Sequence, residues 1–209
     1  MPTVFLARHG QTEWNRVKRL QGHIDIELNE TGERQARQLA ERLSTQRLDA
    51  IYTSPLKRAR ATANAVAARA PIRLVDGLRE RAMGGYEGRC LAEDEVLEAE
   101  FRRRKHRLGD DLDGGETIES FQQRVFGALD RIVSEHLERG SILIVGHGAT
   151  NSMIIGRFLG LALSDIARIW FANDDLYRIE SHDGKRGRVW KETTVDTLRR
   201  VEPNRAPPR

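Results

Sequence analysis

The segment TVFLARHG, residues 3–10, decides the fold, because its apolar run ends abruptly at Arg8 and His9. Such a run is typical of a strand buried on both faces, as strands are in sheets that helices cover on both sides. Residues 141–148, SILIVGHG, have the same form, and His147 follows the most apolar run in the chain. The two segments predict central strands that each deliver a histidine at their end.

Other apolar runs alternate with helical patterns, which favours an α/β fold with a mostly parallel central sheet. We predict a three-layer sandwich in which helices flank this sheet. Predicted strands lie within residues 3–7, 48–54, 72–80 and 141–146, and predicted helices within 28–45, 56–70, 93–107, from 117 onward, and 149–160. Ser54 is the predicted N-cap of the second helix, with Pro55 at its first position. Residues 176–195 alternate around an Asp-Gly turn and predict a hairpin.

Length and charge limit the classes of protein to which the chain can belong. At 209 residues it suits one domain, residues 1–209, with a frayed proline-rich tail at about 202–209. Its 35 Lys and Arg residues against 31 Asp and Glu residues give a net charge of +4. This excess is too small to indicate a nucleic-acid partner, but it suits a small anionic substrate.

The cysteine content and the hydropathy pattern bear on the compartment. Cys90 is the single cysteine, so neither an intrachain disulfide nor a cysteine pair for zinc is available, which favours a reducing cytoplasm. No stretch approaches about 18 uninterrupted apolar residues, and the N-terminus enters a strand directly. We therefore expect a soluble cytoplasmic protein with no membrane partner and no removed leader. The oligomeric state stays open, and a homodimer is compatible with the sequence.

Polar residues follow each predicted strand of the sheet. In open α/β sheets, ligands bind outside the carboxyl ends of the strands, so these residues are the candidate site. They are, in chain order, Arg8 and His9, then Arg58 in the helix after the second strand, Glu80 after the third, and His147 with Gly148 after the last. The sequence thus delivers two histidines, two arginines and a carboxyl group to one rim.

This set of side chains suits phosphoryl transfer. Guanidinium groups such as those of Arg8 and Arg58 bind phosphate oxygens with paired N–H donors. A neutral imidazole, from His9 or His147, can attack phosphorus and form a phosphohistidine. The departing alkoxide needs a proton, for which Glu80 is the candidate donor. Helix N-termini after Ser54 and Gly148 are expected to add backbone N–H donors for an anion.

The motifs resemble those of the histidine phosphatase superfamily, also called the phosphoglycerate mutase-like family. The most specific match is RHGQT, residues 8–12, which continues as EWN to Asn15. It is followed in order by LQGHIDIELNETGERQA, IYTSPLKRARATA, LRERAMGGYEGR, GGET and VGHGAT. The resemblance covers residues 3–179, and RHGQT followed by five further matches in the family's order leaves little room for coincidence.

The resemblance implies a role for each candidate. His9 is then the phosphorylated nucleophile, and Glu80 is the general acid that later activates water as a base. Spacing alone leaves His9 and His147 as alternatives, and only the resemblance selects His9. The other members of the implied phosphate and substrate site are Arg8, Asn15, Gln21, Gly22, Arg58, His147 and Gly148. The resemblance implies no metal and no organic cofactor.

Residues 83–117 correspond to the segment that forms a small cap over the site in this family. The chain departs from the family pattern at its start, with AMGGYEG at 82–88 where many relatives have DFGxWEG. It departs again at 146–149, with GHGA in place of SHGG. Both changes border the expected mouth of the site. The basic run Arg102 to Arg107 is a solvated helix face, a nucleic-acid patch, or a source of substrate contacts, and the sequence leaves these alternatives open.

Residues outside these motifs receive no functional role. His23, His106, His136 and His182 are interpreted as structural or exposed, Cys90 as a buried filler, and the three tryptophans as packing residues. The sequence favours a phosphomonoester hydrolase of the histidine acid phosphatase type, acting on a small phosphorylated metabolite. A cofactor-dependent phosphoglycerate mutase is the alternative, and a non-catalytic phosphate-binding module ranks below both.

Overall fold

In the computed structural model, the described residues are 3–136, 140–166, 169–181, 183–192 and, as backbone alone, 198–200. They contain seven strands in one sheet: β1 (Thr3–Arg8), β2 (Ala50–Thr53), β3 (Ile72–Leu74), β4 (Ser141–Gly146), β5 (Leu176–Ser181), β6 (Gly187–Glu192) and β7 (Leu198–Arg200). The order across the sheet is β3-β2-β4-β1-β5-β6-β7. The predicted tail at 202–209 and His182 lie outside the described residues.

The sheet is mixed, and its parallel half carries the strand ends that the sequence singled out. Strands β3, β2, β4 and β1 run parallel, whereas β5, β6 and β7 are antiparallel to their neighbours. The predicted hairpin accounts for β5 and β6. The third predicted strand is shorter than its apolar run, because β3 ends at Leu74 and a 3₁₀ turn at Asp76–Leu78 follows.

Helices cover both faces of this sheet, as predicted. The described helices are α1 (Glu13–Arg16), α2 (Glu30–Arg42), α3 (Lys57–Asn64), α4 (Glu95–Arg104), α5 (Ile118–Ser134), α6 (Gly148–Leu159) and α7 (Leu163–Ile166). Alternate residues of β1 enter different cores: Val4 and Leu6 pack with α5 and α6, whereas Phe5 and Ala7 pack with α2 and α3. This alternation makes β1 the buried centre of three layers.

The start of α3 differs from the prediction. Leu56 is at the N-cap and makes no side-chain cap hydrogen bond, so the prediction of Ser54 as N-cap and Pro55 as first helical residue is wrong. A carboxylate from another segment takes that role, because Asp25 Oδ1 accepts a hydrogen bond from the Lys57 amide at 2.7 Å. A helix N-terminus attracts such an anion through its free N–H groups.

Residues 83–117, which we call the cap segment, contain a 3₁₀ turn (Gly84–Tyr86), α4 and a loop that leads into α5. An apolar cluster of Tyr86, Leu97, Phe101 and Leu112 holds these parts together. Arg104 joins α4 to the following loop through hydrogen bonds to Asp110 and Asp113. Among the described residues, no helix is long and apolar enough to cross a membrane.

Candidate active site

The two histidines of the opening motifs meet at the carboxyl edge of the parallel strands. Strands β1 and β4 are hydrogen-bonded neighbours, and Arg8 pairs in register with Gly146. His9 and His147 therefore follow at the same level, with their ring centroids 5.1 Å apart. Gly10 permits this arrangement, because a side chain on it would meet the backbone of Gly32 at 2.4 Å.

The hydrogen bonding of His9 fixes which of its nitrogens can react. Nδ1 lies 2.7 Å from the carbonyl oxygen of Gly10. Because a carbonyl oxygen can only accept, Nδ1 carries the proton and Nε2 keeps its lone pair. Burial, and then the charges of Arg58 and Arg8, lower the pKa of His9 well below its usual value of 6.5. The imidazole is therefore neutral and nucleophilic at neutral pH.

His147 lies in the same place but has a different environment. Both of its ring nitrogens are buried and have no hydrogen-bond partner among the described residues. Burial, followed by the charge of Arg58 and the neighbouring His9, lowers its pKa well below 6.5. Leaving a buried polar group unpaired costs about 1–3 kcal/mol, so these nitrogens indicate a polar ligand.

Arg8 and Arg58 are held by backbone carbonyl groups rather than by carboxylates. Arg8 Nη1 donates to the carbonyl oxygen of Phe171. Arg58 donates from Nη1 to the carbonyl of Ile24 at 2.9 Å and from Nη2 to that of Gly22 at 2.8 Å. The Nε atoms of both arginines are buried and find no partner in the part of the chain that the structure describes. Burial lowers the pKa of Arg58 to about 10, so its charge is retained at neutral pH and only partly compensated.

Glu80 lies at the N-terminus of α6 and close to these arginines. Its Oε1 accepts from the amides of Arg81 at 3.0 Å and Thr150 at 3.2 Å and from the Thr150 hydroxyl at 3.4 Å. Within the described ranges, its Oε2 accepts only from the Ala149 amide, at 3.2 Å. Oε2 therefore has the greater capacity left to carry a proton. Burial lowers the pKa values of Arg8 and Arg58, and the charge of Glu80 partly opposes this effect, which places the three groups within electrostatic reach.

The structure thus brings together the five predicted side chains, Arg8, His9, Arg58, Glu80 and His147, which we call the strand-end cluster. The two expected helix N-termini differ in what they contact. The Asp25 carboxylate binds the N-terminus of α3, so the prediction that this N-terminus binds a substrate anion is wrong. Glu80 takes the second and third amides of α6.

The other predicted site residues support the cluster. Gly22 supplies the carbonyl group that holds Arg58. Asn15 Oδ1 accepts from the Thr12 amide at 3.1 Å and so closes the first turn of α1. The Gln21 side chain is buried, and no described residue forms a hydrogen bond with its Oε1. Gly148 opens α6 beside Arg8, whose Cζ lies 3.5 Å from the point where a Gly148 Cβ would lie.

Several supporting residues were not found from the sequence. Asn173 donates to the carbonyl oxygen of His9 at 2.8 Å, and His23 Nε2 lies 2.8 Å from that of Glu80. Glu116 forms an ion pair with Arg124 at 2.7 Å, and Arg124 also donates to the carbonyl of Glu80 at 3.1 Å. These contacts join distant segments through backbone groups. Glu116 in the GGET motif and His23 in LQGHIDIELNETGERQA had a signal in the sequence, whereas Asn173 and Arg124 lie outside the quoted motifs.

The part of the chain that the structure describes contains no group of three or more His, Cys, Asp or Glu side chains that could hold a metal ion. The charges available at the strand-end cluster are those of its own arginines. Guanidinium N–H groups, unpaired imidazole nitrogens and a neutral nucleophilic imidazole suit a tetrahedral oxyanion bound in front of His9. The arrangement is therefore equipped to bind a phosphoryl group and to attack it.

The two buried histidines predict a loss of stability in acid. Their folded pKa values lie below 6.5, so below that pH the unfolded chain binds protons that the folded chain does not. Stability is then complete above about pH 6.5 and falls with decreasing pH, by up to about 1.4 kcal/mol per pH unit for each histidine. Urea denaturation between about pH 7 and about pH 5 should show a shallower loss in the double variant His9→Gln/His147→Gln. An equal loss in both proteins would contradict this account.

Comparisons with known proteins agree with this geometry. Residues 4–193 match the profile of the histidine phosphatase superfamily (branch 1). A probable phosphoglycerate mutase, GpmB, from Photorhabdus laumondii is 36% identical over 86% of this chain and 85% of its own. Phosphoserine phosphatase 1 from Hydrogenobacter thermophilus is 33% identical over 81% of each chain. A mycobacterial glucosyl-3-phosphoglycerate phosphatase, solved with VO3, superposes with a TM-score of 0.80 at 25% identity and covers 90% of this chain and 96% of that one.

Proposed function

Since the chain belongs to the histidine phosphatase superfamily (branch 1), we propose that it is a phosphomonoester hydrolase that acts through a phosphohistidine at His9. Its substrate is a small phosphorylated metabolite. The observation that carries the proposal is the state of His9: Nδ1 is bound to the Gly10 carbonyl at 2.7 Å, and Nε2 keeps its lone pair beside two arginines. No described residue forms such a hydrogen bond with His147 to fix its tautomer, so we assign His147 as a phosphate ligand rather than the nucleophile.

In the first step, His9 Nε2 attacks phosphorus and the bond from phosphorus to the ester oxygen breaks. Arg8, Arg58 and His147 hold the three non-bridging oxygens, where negative charge persists through the transfer. The leaving oxygen takes its proton from Glu80, which enters this step as the carboxylic acid with the proton on Oε2. The products are an alcohol, a Glu80 carboxylate and a phosphohistidine.

In the second step, water attacks the phosphohistidine. The Glu80 carboxylate takes a proton from the attacking water, so the same oxygen that gave a proton receives one. The bond from phosphorus to Nε2 breaks and inorganic phosphate leaves. His9 returns to its neutral form, and Glu80 is again a carboxylic acid. The cycle needs no redox partner.

Turnover of phenyl phosphate at mildly acidic to neutral pH tests this proposal. We expect release of phenol and phosphate, no dependence on added metal, and full activity after treatment with a chelator. A correctly folded protein that hydrolyses no phosphomonoester would contradict the proposed function. An activity that requires a divalent cation would contradict the mechanism.

The mutase names among the relatives support a second candidate, a cofactor-dependent phosphoglycerate mutase. In a mutase, the phosphoryl group on His9 returns to substrate instead of passing to water. The same protein sample decides between the two activities: rapid interconversion of 2- and 3-phosphoglycerate with little phosphate release would favour the mutase. We favour the hydrolase because the cap segment is short and contains GGET, the form that the resemblance associates with the phosphatase branch. The free thiol of Cys90 supports a cytoplasmic location. A homodimer is a further proposal, which size-exclusion chromatography would test.

A further inference from the structure

A cavity of about 260 Å³ opens beside the strand-end cluster and shares Arg8 with it. Arg8 and Gly148 are among its lining residues, so a phosphate ester held at His9 would place its alcohol portion here. We call this space the cap cavity, because Met83, Phe101 and Lys105 of the cap segment form one of its walls. Its volume is below the roughly 300–1,000 Å³ of sites for drug-sized ligands, which indicates a small leaving group.

Most of the cap cavity is apolar. Phe121 of α5, Met153 of α6 and the later residues Ile169 and Phe171 face the cap segment across it. Two positions that depart from the family pattern, Met83 and Ala149, also line it. Trp170 lies on its lining with 64% of its surface exposed, so the prediction that all three tryptophans are packing residues is wrong for this one. Such a lining favours a leaving group with an apolar body.

Three basic side chains of the cap cavity lie outside the strand-end cluster, and they differ in the capacity left to bind a ligand. Arg81 is buried and donates to the carbonyl groups of Lys105, Asp110 and Glu116, so its guanidinium is already engaged. Desolvation and the charges of Lys105 and Arg81 lower the pKa of His106 to about 4, which makes it neutral at neutral pH. Neither of them is a free cation.

Lys105 is different. It is half-buried at the end of α4, with Nζ 5.8 Å from the centre of the Phe101 ring. Within the described parts of the chain, no carboxylate forms an ion pair with it. Burial, and then the charge of Arg102, lower the pKa of its ammonium. Partly buried charges in proteins are normally paired, so an unpaired ammonium on a cavity wall indicates an anionic ligand group.

Resting on the proposed hydrolase function, we propose that the cap cavity selects phosphomonoesters whose leaving group has an apolar body and a second anionic group, which Lys105 binds. The phosphoryl group lies at the strand-end cluster, the body lies against Met83, Phe121 and Ile169, and a carboxylate or similar anion reaches Lys105. Phosphate esters of small apolar hydroxy acids have this form. Among Arg102 to Arg107, the residues on the cavity are therefore Lys105 and His106, not the arginines.

Matched pairs of aryl phosphates test this proposal. Phenyl phosphate supplies the body alone, and 3- and 4-carboxyphenyl phosphate add an anion at two positions. We expect the wild-type protein to have a higher kcat/KM for at least one carboxyphenyl phosphate than for phenyl phosphate. Lys105→Met should lower that value about tenfold, as loss of a charged hydrogen bond does, mainly through KM. Its kcat/KM for phenyl phosphate should stay within about twofold of wild type.

Lys185→Met is the matched control, since it removes the same charge from an exposed lysine that is not on the cap cavity. Its kcat/KM values for both kinds of substrate should equal those of the wild-type protein. Equal losses on phenyl and carboxyphenyl phosphate in Lys105→Met, or no loss on either, would overturn the proposal while leaving the hydrolase function intact. A reversed preference between carboxyphenyl and phenyl phosphate in Lys185→Met would also overturn it, because the preference of the wild-type protein would then reflect net charge.

A binding measurement separates this proposal from the proposed function. If no ester is hydrolysed, calorimetric titration with phenylphosphonate and 4-carboxyphenylphosphonate still measures the affinity of the cap cavity for each compound. Tighter binding of the carboxylated compound by wild type, lost in Lys105→Met, supports the anion contact without any turnover. The same affinity for both compounds in both proteins overturns it.

Discussion

His9→Ala is expected to lower kcat/KM for phenyl phosphate by roughly 10⁴-fold or more, the largest effect of any single substitution in the chain. The change removes the atom that attacks phosphorus. Arg8, Arg58 and His147 remain to bind the phosphoryl group, but water has no equivalent position or nucleophilicity. The loss should therefore be in kcat, with phosphate binding retained, and steady-state kinetics with inorganic phosphate as a competitive inhibitor measures both.

Two controls make the result specific. His136→Ala changes a histidine at the C-terminal end of α5, where it contacts Tyr52 away from the strand-end cluster, and should keep full activity. His147→Ala should lose roughly 10²–10³-fold, as removal of one charge-stabilising donor does, and should still form a phosphoenzyme. A His9→Ala protein that is folded and retains activity within tenfold of wild type would contradict the assignment of the nucleophile.

Glu80→Gln is expected to have the second largest effect, and its size should depend on the leaving group. The amide keeps an oxygen that can accept from Arg81 and Thr150, so the local geometry survives, but it cannot donate a carboxyl proton. For an alkyl phosphate, kcat/KM should fall by about 10³-fold. For 4-nitrophenyl phosphate, whose leaving group needs no proton, it should fall by less than about tenfold.

The second step of the reaction predicts a further kinetic effect of Glu80→Gln. Glu80 is also the base that activates water, so kcat should fall for both substrates and the phosphoenzyme should accumulate. Rapid mixing with 4-nitrophenyl phosphate should then show a burst of nitrophenol followed by slow turnover. Glu27→Gln, at an exposed glutamate that pairs with Lys57, is the control and should behave as wild type. Equal losses of kcat/KM for alkyl and aryl phosphates, with no burst, would exclude Glu80 as the general acid.

The sequence was sufficient for the parts of the fold that depend on local pattern. The apolar runs predicted β1, β2 and β4, and their ends located the residues that meet at the strand-end cluster. Residues 176–195 were predicted as a hairpin, and β5 and β6 confirm it within the described residues. That hairpin adds the antiparallel half of the sheet, because β5 pairs with β1 rather than standing apart from it.

Errors arose where a distant segment supplied the deciding contact. Ser54 followed by Pro55 is a good local start signal, yet α3 begins at Lys57 because the Asp25 carboxylate reaches it from a loop 32 residues earlier. Asn173 and Arg124 donate hydrogen bonds to the backbone carbonyl groups of His9 and Glu80. Every residue has a backbone carbonyl group, so the sequence does not show which one accepts such a hydrogen bond. No local rule predicts such long-range polar contacts.

The choice between the two histidines shows what the structure adds. Both histidines follow buried strands, and their ring centroids are 5.1 Å apart. Neither position nor burial therefore identifies which of the two is the nucleophile. The distinction comes from one hydrogen bond, from Nδ1 of His9 to the Gly10 carbonyl, which leaves Nε2 as the free lone pair. His147 has no equivalent partner among the residues that the structure describes.

Identification of the phosphorylated residue tests the central claim most directly. Wild-type protein and Glu80→Gln would be mixed with 4-nitrophenyl phosphate, quenched in base within milliseconds, digested and sequenced by tandem mass spectrometry. We predict one phosphoryl group on His9, stable in base and lost in acid, with a higher occupancy in Glu80→Gln. A phosphoryl group on His147, or turnover with no phosphohistidine in either protein, would contradict the account.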